Sequence, residues 1–136
     1  MKRICLLVVL ACCIIPVKGY SQDLTAAELI EHVGRAIERG SARDMARYFG
    51  QNADLYLPRA EGTFSKSQSE IILREFFSRN TPDVYTVMSQ GNMGDGSVFV
   101  IGRLSTKEGR SYRSYFLIKR ISQTYVLHHV QFDLQL

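Results

Sequence analysis

From residue 84 to its end the chain carries four long runs rich in Val, Ile, Tyr and Phe, at 84–90, 97–105, 111–121 and 124–134, joined by very short connections. Runs of β-branched and aromatic residues bounded by Gly, Ser and Asn read as strands. The connections at 91–96, 106–110 and 122–123 fall well below the roughly dozen residues that a parallel crossover needs. Consecutive runs must therefore pair antiparallel, and this half of the chain is a sheet. Such a sheet has an apolar face to cover, so the N-terminal half must supply the cover.

Three helices are predicted there. The first spans 23–39: Thr25 and Glu28 have capping-box spacing, and Ala26, Leu29, Ile30, Val33 and Ile37 recur on one face until Gly40 ends the helix. Ser41 caps a second, shorter helix with Asp44 in its first turn, a buried stripe of Ala42, Met45, Ala46 and Phe49, and Gly50 as its stop. A short strand follows at 53–57. Ala53, Leu55 and Leu57 face one way, Asp54 and Tyr56 the other, Pro58 ends it, and 59–63 reads as a turn. The third helix, 65–79, opens on Ser65 with Gln68 three residues on. Ile72 with Phe76 and Leu73 with Phe77 give it a broad apolar face, and Glu70–Arg74 and Glu75–Arg79 are spaced as ion pairs. Asn80 and Pro82 close it. Nothing on its apolar face can do chemistry, so it is a structural wall.

The first residues read differently. Lys2 and Arg3 precede an unbroken apolar run over 4–15, followed by Pro16, Gly19 and Ser21. This is the layout of a signal peptide cleaved after Ser21, and the run is short of the roughly 20 residues of a membrane span. The predicted product is a single domain, 22–136, exported to the periplasm or outside the cell, with no transmembrane span. Val9-Leu10-Ala11-Cys12 loosely resembles a lipobox, with lipid anchoring at Cys12 as the alternative, but Leu10 and the apolar residues after Cys12 do not suit it. Cys5, Cys12 and Cys13 are the only cysteines, so the mature domain has no disulfide, thiolate nucleophile or cysteine metal site. The formal charge of +4 also loses Lys2, Arg3 and Lys18 on processing. The nearly neutral remainder has its cations interspersed with acids, which excludes nucleic acid as a partner.

The order helix, helix, strand, helix and four antiparallel strands resembles the cone-shaped fold of nuclear transport factor two, ketosteroid isomerase and the SnoaL-like cyclases. The stretches YFGQNADLYLP, GTFSKSQSEIILREFF and IGRLSTKEGRSYRSYFLIKR are similar to an uncharacterised family of secreted Bacteroidetes proteins with that fold. The resemblance implies an α+β domain, a curved antiparallel sheet wrapped around three helices and enclosing a cavity. It implies no activity, because this fold hosts enzymes, binding proteins and dimerisation modules alike.

The last strand, YVLHHVQFDLQL, holds the richest candidates. Strict alternation puts Leu127, His129, Gln131 and Asp133 on one face and Val126, His128, Val130, Phe132 and Leu134 on the other. In SnoaL-like proteins a histidine of this strand points into the pocket, which the resemblance assigns to His129. Adjacent His128 would face the opposite way, so the two cannot share a metal. Arg113 and Tyr115 share a face of the preceding strand, as Asp54 and Tyr56 do earlier. The expected cavity lining is Tyr56, Phe76, Arg113, Tyr115, Leu127, His129 and Gln131. No metal or cofactor motif and no isomerase motif is present, and no catalytic residue is assigned; His32 lies on a helix and reads as exposed. The primary expectation is a binding module for a small apolar or amphipathic molecule or a protein partner. The alternatives are an isomerase or dehydratase with an Asp or His base in the cone, and a homodimer formed through the sheet face.

Overall fold

A computed structural model describes residues 24–136; the predicted targeting segment lies outside them. The elements in order are α1 (Ala26–Glu38), α2 (Ala42–Ala46), β1 (Phe49–Leu57), β2 (Ala60–Ser65), α3 (Lys66–Arg79), β3 (Pro82–Asn92), β4 (Val98–Thr106), β5 (Ser111–Ile121) and β6 (Thr124–Gln135). The strands form one curved open sheet in the order β2-β1-β6-β5-β4-β3, with the three helices on its inner face. The expected α+β layout is therefore present. Consecutive strands from β3 to β6 pair antiparallel as the short connections required, while β1 and β6 run parallel. A parallel pair is possible here because the whole of β2 to β5 separates them in the chain.

Local chemistry sets the helices. Thr25 and Ser65 each accept from the backbone N–H three residues on, and Glu28 and Gln68 return the bond to the cap, so both capping boxes are closed. Gly40, with φ of +64°, takes the left-handed turn that ends α1. The helix after it is shorter than predicted. It stops at Ala46, and Phe49 and Gly50 already belong to β1, because the Leu127 N–H donates to the Tyr48 carbonyl at 2.7 Å and draws the chain into the sheet. Phe49 is buried as expected, but as a strand residue.

The predicted turn at 59–63 is a strand instead. Leu57 pairs with Ala60 and Asp54 with Thr63, so β1 and β2 form a tight hairpin around Pro58 and Arg59. Its residues, AEGTFS, are too polar and too few to show an apolar alternation.

The interior of the cone is filled by aromatic rings. Phe132 of β6 stacks on Phe76 of α3 with centroids 4.9 Å apart and meets Phe116 and Phe77 edge-on at 5.9 and 6.5 Å. Tyr112 closes on Phe76 at 5.3 Å. One irregularity redirects β6. Its register with β5 passes from Leu117↔His129 to Ile118↔Leu127, which leaves His128 as an extra, bulged residue.

Candidate functional site

The bulge at His128 decides where the residues singled out from the sequence go. Leu127 faces the core with Val130 and Phe132, fully buried. Past the bulge, His129, Gln131 and Asp133 face outward. They meet Tyr56, Tyr115 and Arg113 on the outer sheet surface, away from the helices. Tyr56 stacks on His129 at 4.9 Å between centroids, and Tyr115 meets the same ring edge-on at 5.5 Å. Gln131 lies 3.2 Å from His129 Nε2 and donates through Nε2 to Asp133 at 2.8 Å. The expectation that Tyr56, Arg113, Tyr115, His129 and Gln131 line a cavity inside the cone is thus corrected. They do assemble, but on the opposite side of the sheet. Leu127 lines no cavity because it is core.

His128 does not face away from His129 either. Its Nε2 lies 3.4 Å from an Asp54 oxygen, on the same outer surface, and Asp54 also accepts from the Thr63 hydroxyl at 2.7 Å. Two consecutive side chains share a face because a bulge sets two residues against one on the neighbouring strand. Partial burial lowers the His128 pKa, and Lys119 pushes it the same way; Asp54 opposes, and His129 adds a smaller lowering. A histidine harder to protonate folded than unfolded makes the folded state bind fewer protons, so stability must fall as pH drops through the unfolded value near 6.5. Thermal melts at pH 7.5 and 5.5 are expected to show a larger drop in the wild type than in His128→Gln; equal drops would remove His128 as a source. Among the described residues no three His, Cys, Asp or Glu side chains converge on a metal position, and no helix is long and apolar enough to cross a membrane.

A cleft of about 420 Å³ opens at one end of the cone, between the last turns of α3, the β1–β2 hairpin and the start of β5. Leu57, Pro58, Ile72 and Phe76 give it apolar walls; Arg59, Glu75, Arg79, Asn80, Arg110 and Tyr112 give it a polar side. Of the expected lining, only Phe76 is here. The polar side is tied together by Asn80, the C-cap of α3. Its Oδ1 accepts from the Tyr112 hydroxyl at 2.7 Å and from Arg110 Nε at 2.9 Å, while its Nδ2 donates to the Phe76 carbonyl at 3.0 Å. Arg110 Nη2 also donates to the Arg79 carbonyl. The β4–β5 hairpin is latched to the same helix end, since both Glu108 oxygens accept from the Thr81 N–H at 3.0 and 3.1 Å. Those bonds hold the exposed Glu108 carboxyl down at about 2. The base proposed for isomerase chemistry, Asp54 or His129, is on the other side of the sheet, and Glu75, the one carboxylate in the cleft, is paired with Arg79 at 3.1 Å.

The family model described as Domain of unknown function (DUF4783) matches residues 30–133. Among solved structures, a DUF4783 family protein from Bacteroides ovatus is 27% identical with a TM-score of 0.72, over 85% of this chain and 98% of that one. A second, from Bacteroides uniformis, is 28% identical with a TM-score of 0.71, over 77% and 95%. An NTF-2-like protein of unknown function from Silicibacter pomeroyi shares the fold alone, at 12% identity and a TM-score of 0.56, over 80% and 92%. No curated protein matches. The expected likeness to a Bacteroidetes family of unknown function, and to the nuclear-transport-factor-two-like fold, is borne out.

Proposed function

We propose that this chain, which belongs to the DUF4783 family, is an exported binding module whose cleft at the end of α3 holds a small amphipathic molecule. The observation that carries this reading is the cleft itself, with apolar walls on one side and a hydrogen-bonded polar side on the other. Its volume lies within the roughly 300–1,000 Å³ of small-molecule sites, and such sites combine apolar lining with a few fixed polar groups. The polar groups here are fixed before any ligand arrives, which lowers the entropy lost on binding. Export rests on the N-terminal signal layout alone, and the mass of the processed N-terminus tests it.

Native mass spectrometry of protein purified without denaturation from its own envelope fraction is expected to show an added mass that vanishes on denaturation. Ile72→Trp, which fills the cleft from a half-buried wall position, is expected to lose that mass while keeping the far-UV circular dichroism of the wild type. An adduct undiminished in Ile72→Trp would put the ligand elsewhere and overturn the reading, and a wild type that carries none would sink a tightly held ligand.

A second reading, a homodimer through the outer sheet face, is favoured by the Tyr56–His129–Tyr115 aromatic cluster, whose Tyr56 is 41% exposed. Tyrosine and arginine are enriched at interfaces. The same spectra count subunits, and a monomer at about 10 μM, far above the Kd of a nanomolar complex, would sink it.

A further inference from the structure

Resting on the cleft as the binding site, we infer that its ligand is an organic acid, an oxyanion head group on an apolar body, with Arg110 and Arg59 holding the head. The charges around the cleft do not balance. Three arginines line it and one carboxylate answers them: Glu75 pairs with Arg79. Among the described residues neither Arg59 nor Arg110 has a carboxylate within 4.0 Å.

Arg110 is also held in place. Nε is committed to Asn80 Oδ1 at 2.9 Å and one Nη2 hydrogen to the Arg79 carbonyl. Asn80 is itself buried and fixed by Tyr112 and by the backbone of α3. A guanidinium has five N–H donors in a rigid fork. Two are used to orient it, and the remaining donors have no anion. Fixing an arginine this way removes side-chain freedom that a flexible surface arginine would lose on binding, and the planar fork matches a carboxylate or phosphate two oxygens at a time. Arg59 sits at the tip of the β1–β2 hairpin and lines the same cleft from a different element than Arg110, so two guanidiniums are available to one head group. The body follows from the apolar part of the lining: Leu57, Ile72 and Phe76 offer only carbon to whatever extends from the head. A bare inorganic anion would leave that wall wet, and a neutral hydrocarbon would leave two cations unanswered.

The test titrates the whole mature domain, by backbone amide NMR, with octanoate, octyl phosphate and octan-1-ol. Octanoate or octyl phosphate is expected to bind at least about tenfold tighter than octan-1-ol, as suits hydrogen bonds to a charged group, and which of the two is tighter identifies the head group. Arg59→Gln, on an exposed turn where it holds no other residue, is expected to lower the affinity for the acids about tenfold and leave that for the alcohol unchanged. Arg110→Gln should act alike, but it also unties Asn80, so Arg59 carries the decision. If acid and alcohol bind equally, or if Arg59→Gln changes neither, the cleft stands as a binding site and the anionic ligand is overturned. If none of the three shifts cleft amides at millimolar concentration, the order of the weakest specific affinities, the cleft reading fails as well. Inorganic phosphate binding as tightly as octyl phosphate would overturn the apolar body.

Discussion

Phe132→Ala is expected to lower the unfolding free energy by about 3–5 kcal/mol, the cost of emptying a buried phenylalanine site. The side chain is 2% exposed and joins three elements at once, stacking on Phe76 of α3 and meeting Phe116 of β5 and Phe77 of α3 edge-on. Aromatic pairs of this kind add about 0.5–1.5 kcal/mol each beyond the area they bury. The hole would lie between β6, β5 and α3, where Phe76, Phe77 and Phe116 would each lose a packed ring. Against a total stability of about 5–15 kcal/mol for a domain of this kind, such a loss is a large fraction. The chain contains no tryptophan, so urea unfolding followed by far-UV circular dichroism is the suitable measurement. Val84→Ala on the exposed edge strand β3, where Val84 is 49% exposed, should change the unfolding free energy by less than about 0.5 kcal/mol. A Phe132→Ala loss as small as that would mean the interior is not organised around this ring.

The difference between those two substitutions was partly legible in the sequence. Helices α1 and α3 were readable because their signals are local: Thr25 with Glu28 and Ser65 with Gln68 lie three residues apart, and both boxes close in the structure. Strands β3 to β6 were readable because long β-branched runs with short connections leave one way to pair. What failed was extrapolation of a period. Alternation along β6 holds from Phe132 back to His129 and then breaks at a single extra residue, so Leu127 turns into the core while His128 and His129 both face outward. The resemblance to SnoaL-like proteins put His129 in a cavity, and that alternation put Leu127 beside it. Strand β2 escaped because its polar residues gain their place only by pairing with β1. The cleft escaped for a different reason. Asn80 lies 30 residues from Arg110 and 32 from Tyr112 in the chain, and meets them only where the β4–β5 hairpin docks on the end of α3. Glu108 and Thr81 make that latch, and nothing in either residue's neighbourhood announces it.

Gly102 carries the second large effect. It lies in the middle of β4, buried, opposite Val87 of β3 and Ser114 of β5. Its backbone is not left-handed, so a side chain is excluded by space alone. The position of a Cβ is taken by Tyr85, whose Cζ would be 2.7 Å away, and by the Ser114 hydroxyl at 2.8 Å. Tyr85 crosses from the edge strand under α1, with Gly34 against its ring, and bonds the Ser114 hydroxyl at 3.0 Å. Burial pushes its phenol up to about 12, although the Ser114 bond pulls the other way. A tyrosine this enclosed cannot swing aside as a surface lysine would. Gly102→Val should therefore displace the ring, break its hydrogen bond and lift α1 from β3, for a loss of about 3 kcal/mol from overpacking and about 1 kcal/mol from the bond. The cause is separable from a general intolerance of valine in this strand. In a Tyr85→Leu background the ring is gone and only the Ser114 hydroxyl, released from its bond to Tyr85, stays near the position, so Gly102→Val should cost less there by about 1–3 kcal/mol, the size of coupling found between touching residues. Additive losses in the double-mutant cycle would show that the ring is not what excludes the side chain. They would leave the Ser114 hydroxyl of β5 as the group that excludes it.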